Sequence, residues 1–263
     1  MGVRRGLPIA IALGALVLAG GCTLRRPHPQ PAPKATAAEL LDGLRARRAA
    51  IGSLRARARL RAGLRAAWTR EAIVVRRPGL IRIDVLSPFG LALAMGARDE
   101  VLWAFAPGEG IRWEGPTTPE NLGRFLGAPL GVPDVVDLLL GLPPARAAVG
   151  PATVAATDAG EIALTLPLAD GAQTIWFAGD PLVVARAEER RGGAVTLRAA
   201  FGDYAAGFPH ALTVESPASG SEARLQYDTV EPNAAIDVAV FSPPAAARVL
   251  PFEAAPGADE GRP

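Results

Sequence analysis

The amino-acid sequence predicts a mainly β protein with short helices, in which a single curved antiparallel sheet is covered by a helical lid. Residues 54–62 alternate strictly between apolar side chains and arginine, which is the pattern of a strand with one buried face. Strand candidates recur roughly every ten residues, twelve in all, and the short turns between them require antiparallel neighbours. Two short, very apolar helical segments interrupt these strands and resemble a lid over a sheet.

The individual elements follow from the residues that start and stop them. Residues 37–50 repeat leucine at helical spacing and end at Gly52 and Ser53, so they predict a helix. Proline followed by an acidic residue is a helix-start signal, and it precedes the predicted helices at residues 121–126 and 135–140. Strands are predicted over residues 54–62, 68–76, 80–86, 91–97, 101–106, 110–114, 161–168, 173–178, 182–189, 194–201, 211–215 and 222–230.

The first 22 residues predict export followed by lipid attachment. Arg4 and Arg5 precede an apolar run of about a dozen residues, far short of the roughly 20 that a spanning helix needs. Small residues then lead to Cys22, the single cysteine of the chain, and the string LAGGC resembles the bacterial lipobox. The alternative is an ordinary signal peptide with an incidental free cysteine. We therefore divide the chain into a lipoprotein signal peptide (1–21), a lipidated proline-rich tether (22–36), one domain (37–253) and a disordered tail (254–263).

The charge of the chain excludes one class of partner and indicates others. Cleavage before Cys22 removes Arg4 and Arg5 but no acid, so the mature chain carries 26 basic and 26 acidic side chains and gives no indication of nucleic-acid binding. Residues 45–82 nevertheless hold twelve arginines and one acid. One face of the strand at 54–62 carries Arg55, Arg57, Arg59 and Arg61. This face would suit anionic headgroups or an acidic protein partner, or it is simply a solvated strand face.

The sequence lacks the residues that catalysis would need. His28 lies in the tether and His210 stands alone, so the two histidines cannot assemble a metal site or a catalytic triad. The only cysteine is assigned to lipid attachment, and no glycine-rich phosphate loop is present. We therefore expect no enzyme activity, no metal and no cofactor, and look for function in binding.

Large apolar residues indicate where binding occurs. Two short helices cannot cover so large a sheet, so the sheet should curl and leave a hydrophobic concavity, the usual form of an apolar-ligand site. Trp103, Phe105 and Trp113 lie on adjacent strands and are expected to form one aromatic surface, although a filled core is the alternative for each. The candidate lining residues are Trp68, Ile83, Val85, Trp103, Phe105, Trp113, Leu122, Phe125, Leu139 and Trp176.

A turn at residues 87–91 is unusually apolar. Turns normally display polar residues, yet Phe89 and Leu91 flank Gly90 at a loop tip. These side chains either bury locally or enter a membrane interface or a ligand.

Several of these segments together resemble the LolB-like outer-membrane lipoproteins, particularly their divergent deltaproteobacterial-type relatives. They are the lipid-attachment cysteine, the helix followed by the arginine-alternating strand, RRPGLIRIDVLSPFG (76–90), TPENLGRFLG (118–127) and DLLLG (137–141). The most specific of them is DVLSPFG, and the resemblance covers residues 37–250.

The resemblance implies a half-open β-barrel, with helices over its mouth, that holds lipoprotein acyl chains in an apolar cavity. It also implies that cargo arrives from a soluble periplasmic carrier of the same fold and leaves into the outer membrane. Phe89 or Leu91 would assist that delivery, because they match the protruding hydrophobic residue of the family. Thr23 after the lipidated cysteine is consistent with sorting to the periplasmic face of the outer membrane.

Three functions are therefore compatible with the sequence. The first is an outer-membrane lipoprotein that binds the acyl chains of lipoproteins and assists their insertion, with the basic strand steering an acidic carrier. The second is a ligand-free scaffold or assembly lipoprotein that works through protein contacts. The third is a carrier of another amphiphile, such as a glycolipid, in the same cavity.

Overall fold

The computed structural model describes residues 35–63, 66–126 and 130–252, without the side chains of residues 124–126. Cys22, the signal peptide, nearly all of the tether and the tail lie outside the described residues. The helices are α1 Ala37–Ala50, α2 Pro119–Leu126 and α3 Val132–Leu139, and Val238–Phe241 form a 3₁₀ helix. The strands are β1 Ser53–Ala62, β2 Thr69–Arg76, β3 Leu80–Ser87, β4 Gly90–Arg98, β5 Val101–Ala106, β6 Ile111–Pro116, β7 Thr153–Ala156, β8 Ile162–Leu168, β9 Gly171–Ala178, β10 Val183–Arg191, β11 Ala194–Ala205, β12 Phe208–Ser216, β13 Ser221–Pro232 and β14 Arg248–Pro251.

These fourteen strands form one large curved sheet that does not close, in the order β14-β6-β5-β4-β3-β2-β1-β13-β12-β11-β10-β9-β8-β7. Strands β1–β6 form one antiparallel meander and strands β7–β13 form another. Pairing of β1 with β13, from Leu54 opposite Pro232 to Ala62 opposite Ala223, joins the two halves. The sheet therefore brings the start and the end of the domain together at its centre.

All twelve predicted strands and all three predicted helices are present, but two strands were missed. The sheet is also not wholly antiparallel as predicted, because β14 pairs in parallel with β6. The chain reaches β14 after a long connection through the 3₁₀ helix, and only adjacent strands joined by a short turn are required to be antiparallel. Strand β7, four residues long, forms the other edge.

Alternation along β1 is confirmed. Leu54, Ala56 and Ala58 are buried, whereas Arg55 and Arg57 between them are exposed. We call the face that carries the buried residues of β1 the inner face. The helices pack against this face and share one hydrophobic core with it.

Helix α1 is defined by its ends. A capping box joins Thr36 and Glu39 at its start, and Arg47 and Arg48 occupy its last turn, where a positive charge suits the helix dipole. Its leucine side packs over β9 and β10, with Leu40 close to Phe177 and Val184.

Helix α3 lies over the centre of the sheet. Val135, Leu138 and Leu139 face β2 and β3 on one side and β12 and β13 on the other. The Tyr227 hydroxyl of β13 donates a hydrogen bond to the carbonyl oxygen of Leu139 (2.8 Å), which fixes the end of the helix on the sheet.

The outer face carries a second, smaller core. Trp103 is fully buried there, and its indole nitrogen donates to the carbonyl oxygen of Phe241 in the 3₁₀ helix (3.2 Å). The Arg82 guanidinium lies 5.8 Å from the ring centroid. Gly96 leaves room for this ring, because a Cβ atom at residue 96 would lie 2.5 Å from Trp103 Cζ2.

Candidate functional site

An apolar recess lies between the inner face and α3. Its volume is about 90 Å³, and almost its whole lining is hydrocarbon. The lining residues are Leu60, Ala62, Glu71, Ile73, Ile83, Leu130, Val135, Leu138, Leu139, Leu212, Val214, Ser221, Glu222, Ala223 and Leu225.

The mouth of the recess lies at one end of the sheet. Cross-strand pairing places Ala62 beside Ala223 and Ala223 beside Val214, at the end of β1, the start of β13 and the end of β12. Ala62 is exposed and the other two are half-buried. Further along the same strands, Ile73 and Ile83 pair with one another and are buried, so they form the closed end of the recess.

Helix α3 is held in place by buried ion pairs on a different side from the recess. The Asp137 carboxylate accepts hydrogen bonds from Arg48 of α1, from Arg77 in the β2–β3 turn, and from the backbone nitrogen of Ala145 (3.0 Å). We call Asp137, Arg48 and Arg77 the α3 clamp. Arg48 also donates to the carbonyl oxygen of Pro143 (3.0 Å).

A second ionic contact reinforces this arrangement from the other half of the sheet. Arg146 binds both carboxylate oxygens of Asp134 (2.7 and 2.8 Å) and one oxygen of Glu189 on β10 (2.6 Å). These contacts raise the pKa of Arg146 above its usual range, with the Asp134 hydrogen bonds as the largest cause. Charged groups thus connect α3 with α1, the β2–β3 turn and β10.

Two of the predicted lining residues, Ile83 and Leu139, line the recess. Val85, Trp113 and Leu122 lie on the inner side of the sheet but outside the recess lining, with Trp113 and Leu122 buried in the core. The side chain of Phe125 lies outside the described residues.

The other predicted lining residues lie away from the recess. Trp103 and Phe105 alternate with the core residue Ala104 and therefore face outward. Since Ala104, not Trp103, pairs with Trp113, the expected aromatic surface is split between the two faces. Trp176 faces outward under the Arg186 guanidinium, 3.8 Å from the ring centroid.

Trp68 precedes β2 and is also outside the recess. Its side chain is 48% exposed, and the Arg61 guanidinium lies 5.4 Å from the ring centroid. Several aliphatic residues that were not predicted line the recess instead, among them Leu60, Leu212 and Leu225. The alternation of β1 could have identified Leu60, because it follows Ala56 and Ala58 on the apolar side of that strand.

The β3–β4 turn projects a large apolar side chain into solvent. Phe89 is 99% exposed, and Leu91 at the base of the turn is half-buried. Residue pairing places this turn at the same end of the sheet as the recess mouth, because Arg70 near the start of β2 pairs with Leu86 near the end of β3. Strands β1 and β3 flank β2, so this turn is offset from the end of β1 by about two strand spacings, roughly 10 Å.

The arginines of β1 lie on the outer face and are partly neutralised. Arg55 pairs with Glu231 (2.9 Å) and Arg59 pairs with Asp228 (3.1 Å), while Arg61 stacks on Trp68. Arg57 is exposed and has no ion pair with another described residue. The strand therefore presents less free positive charge than its sequence indicates.

Two larger grooves flank α1. One, of about 570 Å³, lies between α1 and residues 143–152 and includes Arg45, Arg48 and Arg146 in its lining. The other, of about 490 Å³, lies over β10 and includes Glu39 and Arg47. Because charged side chains line both grooves, the recess under α3 is better suited to shelter hydrocarbon.

Other kinds of site are not found in the part of the chain that the structure describes. Within it, no cluster of side chains could hold a metal ion. The described helices include none that is long and apolar enough to cross a membrane.

Comparison with solved structures identifies proteins of similar fold. A LolA superfamily protein from Nitrosomonas europaea aligns with a TM-score of 0.51 and 16% identity, covering 80% of this chain and 99% of the other. A putative outer membrane lipoprotein-sorting protein domain from Vibrio parahaemolyticus aligns with a TM-score of 0.51 and 12% identity, covering 77% and 95%. A DUF1329 family protein from Desulfovibrio piger aligns with a TM-score of 0.52 and 14% identity, covering 78% and 95%.

No protein-family model matches the sequence, and no curated protein sequence matches it. At these identities the structural likeness shows a shared fold. That fold is the LolA-like one, a single large curved and unclosed sheet with a few short helices.

Proposed function

We propose that this protein is an outer-membrane lipoprotein, anchored through Cys22 at the periplasmic face, that binds the acyl chains of other lipoproteins and assists their insertion into the membrane. The observation that carries the proposal is the common position of the hydrocarbon-lined recess mouth and the fully exposed Phe89 at one end of the sheet. The LolA-like fold supports it, since one protein of that fold is described as a lipoprotein-sorting domain.

The recess must enlarge to hold cargo. Its 90 Å³ is smaller than the roughly 150 Å³ of an engineered apolar cavity that binds one benzene molecule, and an acyl chain of a dozen or more carbons is much larger than benzene. The half-open barrel would therefore open as α3 and its side chains Leu138 and Leu139 move away from the sheet. Helix α3 is the helical lid of this proposal.

Transfer would need no covalent chemistry, in keeping with our expectation that the protein is not an enzyme. Each methylene moved from water into an apolar site gains about 0.8 kcal/mol, so a chain leaves one cavity only for another that shelters it about equally well. A soluble periplasmic carrier of the same fold would provide the first cavity and the outer membrane the final one. Arg57, on the outer face of the basic strand, would help to steer an acidic carrier toward the protein.

Phe89 would contact the membrane in the last step, the delivery of the acyl chain. Its exposed ring can be buried in the interfacial region of a bilayer without any change in the sheet, which contributes about 1.5–3 kcal/mol for a large apolar side chain. Leu91 would support the ring from the base of the turn. Contact through this turn would bring the recess mouth to the membrane surface, because both lie at the same end of the sheet.

The binding step can be tested with the mature lipidated protein purified from its membranes. Native mass spectrometry should detect retained acyl-bearing lipid, and Ala223→Trp should abolish it by filling the mouth. Ala200→Trp places the same bulk on the exposed outer face of β11 and should leave retention unchanged. A wild-type protein that never retains acyl chains would contradict the proposal.

The delivery step can be tested by transfer of a labelled lipoprotein into phospholipid vesicles. Phe89→Glu should leave folding and acyl binding intact but slow transfer, because the ring contacts no core residue. Val101→Glu is a matched control, since Val101 is a partly exposed valine at the β4–β5 turn on the opposite end of the sheet. In cells, depletion of the protein should mislocalise outer-membrane lipoproteins. Normal sorting after depletion would rule out this role.

A ligand-free scaffold is the second candidate, because a permanently closed core would also show a recess of this small volume. A scaffold would keep its core closed, retain no lipid and be insensitive to Ala223→Trp. Retention of a glycolipid, with no lipoprotein acyl chains bound, would instead identify a carrier of another amphiphile.

A further inference from the structure

Glu71 interrupts an otherwise apolar surface. Its strand, β2, turns Ile73 and Val75 toward the core, and Glu71 occupies the same face two residues earlier. Only 1% of the residue is exposed, and neither carboxyl oxygen has a hydrogen-bond partner among the described residues. Burial of an unpaired carboxyl group is unfavourable, and natural proteins seldom retain one without a function.

No positive charge of a described residue compensates Glu71. Its cross-strand neighbours are Ala58 on β1 and Val85 on β3, and α3 presents Val135 and Leu138 to the recess. The Thr69 hydroxyl, on the same face of β2, donates to the carbonyl oxygen of Leu60 (3.1 Å). Burial is the main cause that raises the pKa of Glu71. The adjacent Thr69 hydroxyl lowers this pKa as a hydrogen-bonding group, although its own hydrogen is donated to Leu60, and the charge of Asp84 raises it by a smaller amount.

The other carboxylate that lines the recess already has an ion-pair partner. Glu222 lies at the start of β13, near the mouth, and pairs with Arg224. Asp84 pairs with Arg82 on the outer side of the sheet (2.9 Å). Glu71 is thus the carboxyl group of the recess whose hydrogen-bonding capacity is free for a ligand.

The depth of Glu71 indicates which part of a ligand it would meet. It lies two residue pairs further in than Leu60 and Thr69, which is about 7 Å along the strand. Ile73 and Ile83 lie deeper still, at the closed end. This closed end is only about 7 Å beyond Glu71, so a long chain fits there only when the recess widens as the proposed function requires. An amphiphile whose hydrocarbon fills the widened recess would hold its first polar linkage level with Glu71.

The geometry points to Glu71 as the specificity group of the recess, which recognises the amide or ester linkage that joins an acyl chain to its headgroup. A protonated carboxyl group can donate its O–H to the carbonyl oxygen of that linkage and accept an amide N–H with its other oxygen. A plain hydrocarbon chain would leave Glu71 unpaired. This inference rests on the proposed acyl-binding function and adds selectivity for chains that carry a neutral polar linkage.

Competition between ligands of equal chain length tests the inference. The mature lipidated protein in detergent is mixed with N-methyltetradecanamide and 1-chlorotetradecane, and the ratio of the two bound species is read by native mass spectrometry. Comparison of variants in identical micelles cancels the unequal partitioning of the ligands. Relative to Glu71→Met, the wild type should favour the amide by roughly fivefold to tenfold, the range that one net hydrogen bond provides. Glu71→Gln should keep most of the preference. Glu231→Gln, which changes an exposed carboxylate on the outer face, should keep all of it.

The outcomes separate this inference from the proposed function. Failure of every variant to bind either ligand would reject the acyl-binding function itself. Binding of both ligands with the same ratio in wild type and Glu71→Met would reject the role of Glu71 alone. In a parallel competition, tetradecylammonium replaces 1-chlorotetradecane. A preference of the wild type for tetradecylammonium over the amide would show an ionised Glu71 that selects cations, and would overturn the assignment to a neutral linkage. Thermal unfolding of each variant establishes that it is folded, and Glu71→Met should be at least as stable as the wild type, because it removes the unpaired carboxyl group.

Discussion

Replacing Asp137 with asparagine should destabilise the protein more than almost any other single polar substitution. The Asp137 carboxylate is 6% exposed and is shared by two guanidinium groups, Arg48 and Arg77, which are themselves mostly buried. Asparagine keeps the shape and can still accept a hydrogen bond, but both arginines lose their charged partner. Removing one member of a buried ion pair costs about 3–5 kcal/mol. We expect Asp137→Asn to lower the free energy of unfolding by that amount.

Urea unfolding followed by circular dichroism gives the required comparison. The change should appear as a lower midpoint with an unchanged slope, since the surface exposed on unfolding stays the same. Asp42→Asn is the matched control, because Asp42 pairs with Arg45 on the same helix face but both side chains are more than 70% exposed. That exposed pair should contribute less than about 1 kcal/mol. A loss below 1 kcal/mol in Asp137→Asn would show that the α3 clamp does not hold the helix.

Three further predictions concern other parts of the fold. Glu71→Gln should be more stable than the wild type, by a margin that is small near pH 4 and widens as the pH rises above the ordinary glutamate pKa of 4.5. The reason is that the raised pKa keeps Glu71 protonated in the folded state after the unfolded chain has ionised. A stability margin that urea unfolding shows to be independent of pH between 4 and 8 would contradict the raised pKa. Gly96→Ala should lower the free energy of unfolding by about 3 kcal/mol, the upper end of the overpacking range, because its Cβ would lie 2.5 Å from Trp103 and 2.6 Å from a backbone oxygen. A red shift of tryptophan fluorescence should accompany this loss of stability, and unchanged stability and fluorescence would refute the close packing. Tyr227→Phe should lower the free energy of unfolding by about 1–3 kcal/mol, since it leaves the buried carbonyl oxygen of Leu139 without its hydrogen-bond donor. A thermal unfolding midpoint within 1 °C of the wild type would argue against this contact.

The strands were predictable where one face is polar. Residues 54–62 alternate so regularly that their burial follows from the sequence, and the turns rich in glycine and proline located most of the other strands. Strand β5 is different, because Leu102 and Ala104 face the core while Trp103 faces a second core under the 3₁₀ helix. Apolar side chains on both faces remove the alternation, so the sequence could identify the strand but not the direction of Trp103.

The other outward tryptophans were misplaced for a related reason. Trp68 and Trp176 are large and apolar, but each is covered by a guanidinium group, from Arg61 and Arg186. Such cation–π pairs let an aromatic ring remain on a solvated face. The arginine that pairs with each ring lies on an adjacent element, so pairing of strands must be known before the contact can be predicted. Strands β7 and β14 were missed because four residues are too few to establish a period.

The positions of the α3 clamp and the recess on different sides of one helix constrain how a chain could enter. Asp137 faces the arginines, whereas Leu138 and Leu139 face the recess. An apolar recess without cargo is most stable when it is nearly closed, because each Å² of apolar surface exposed to water costs about 25 cal/mol. A volume of 90 Å³ is therefore the expected resting state of a reversible acyl carrier as well as of a closed core. A carrier and a closed scaffold differ in what happens when an acyl chain binds. A carrier must widen the recess by rotating α3 about an intact α3 clamp, because breaking the clamp would cost about 3–5 kcal/mol. Cross-linking α3 to β12 through cysteines introduced at residues 138 and 212 should accordingly abolish acyl binding in a carrier and leave a scaffold unaffected.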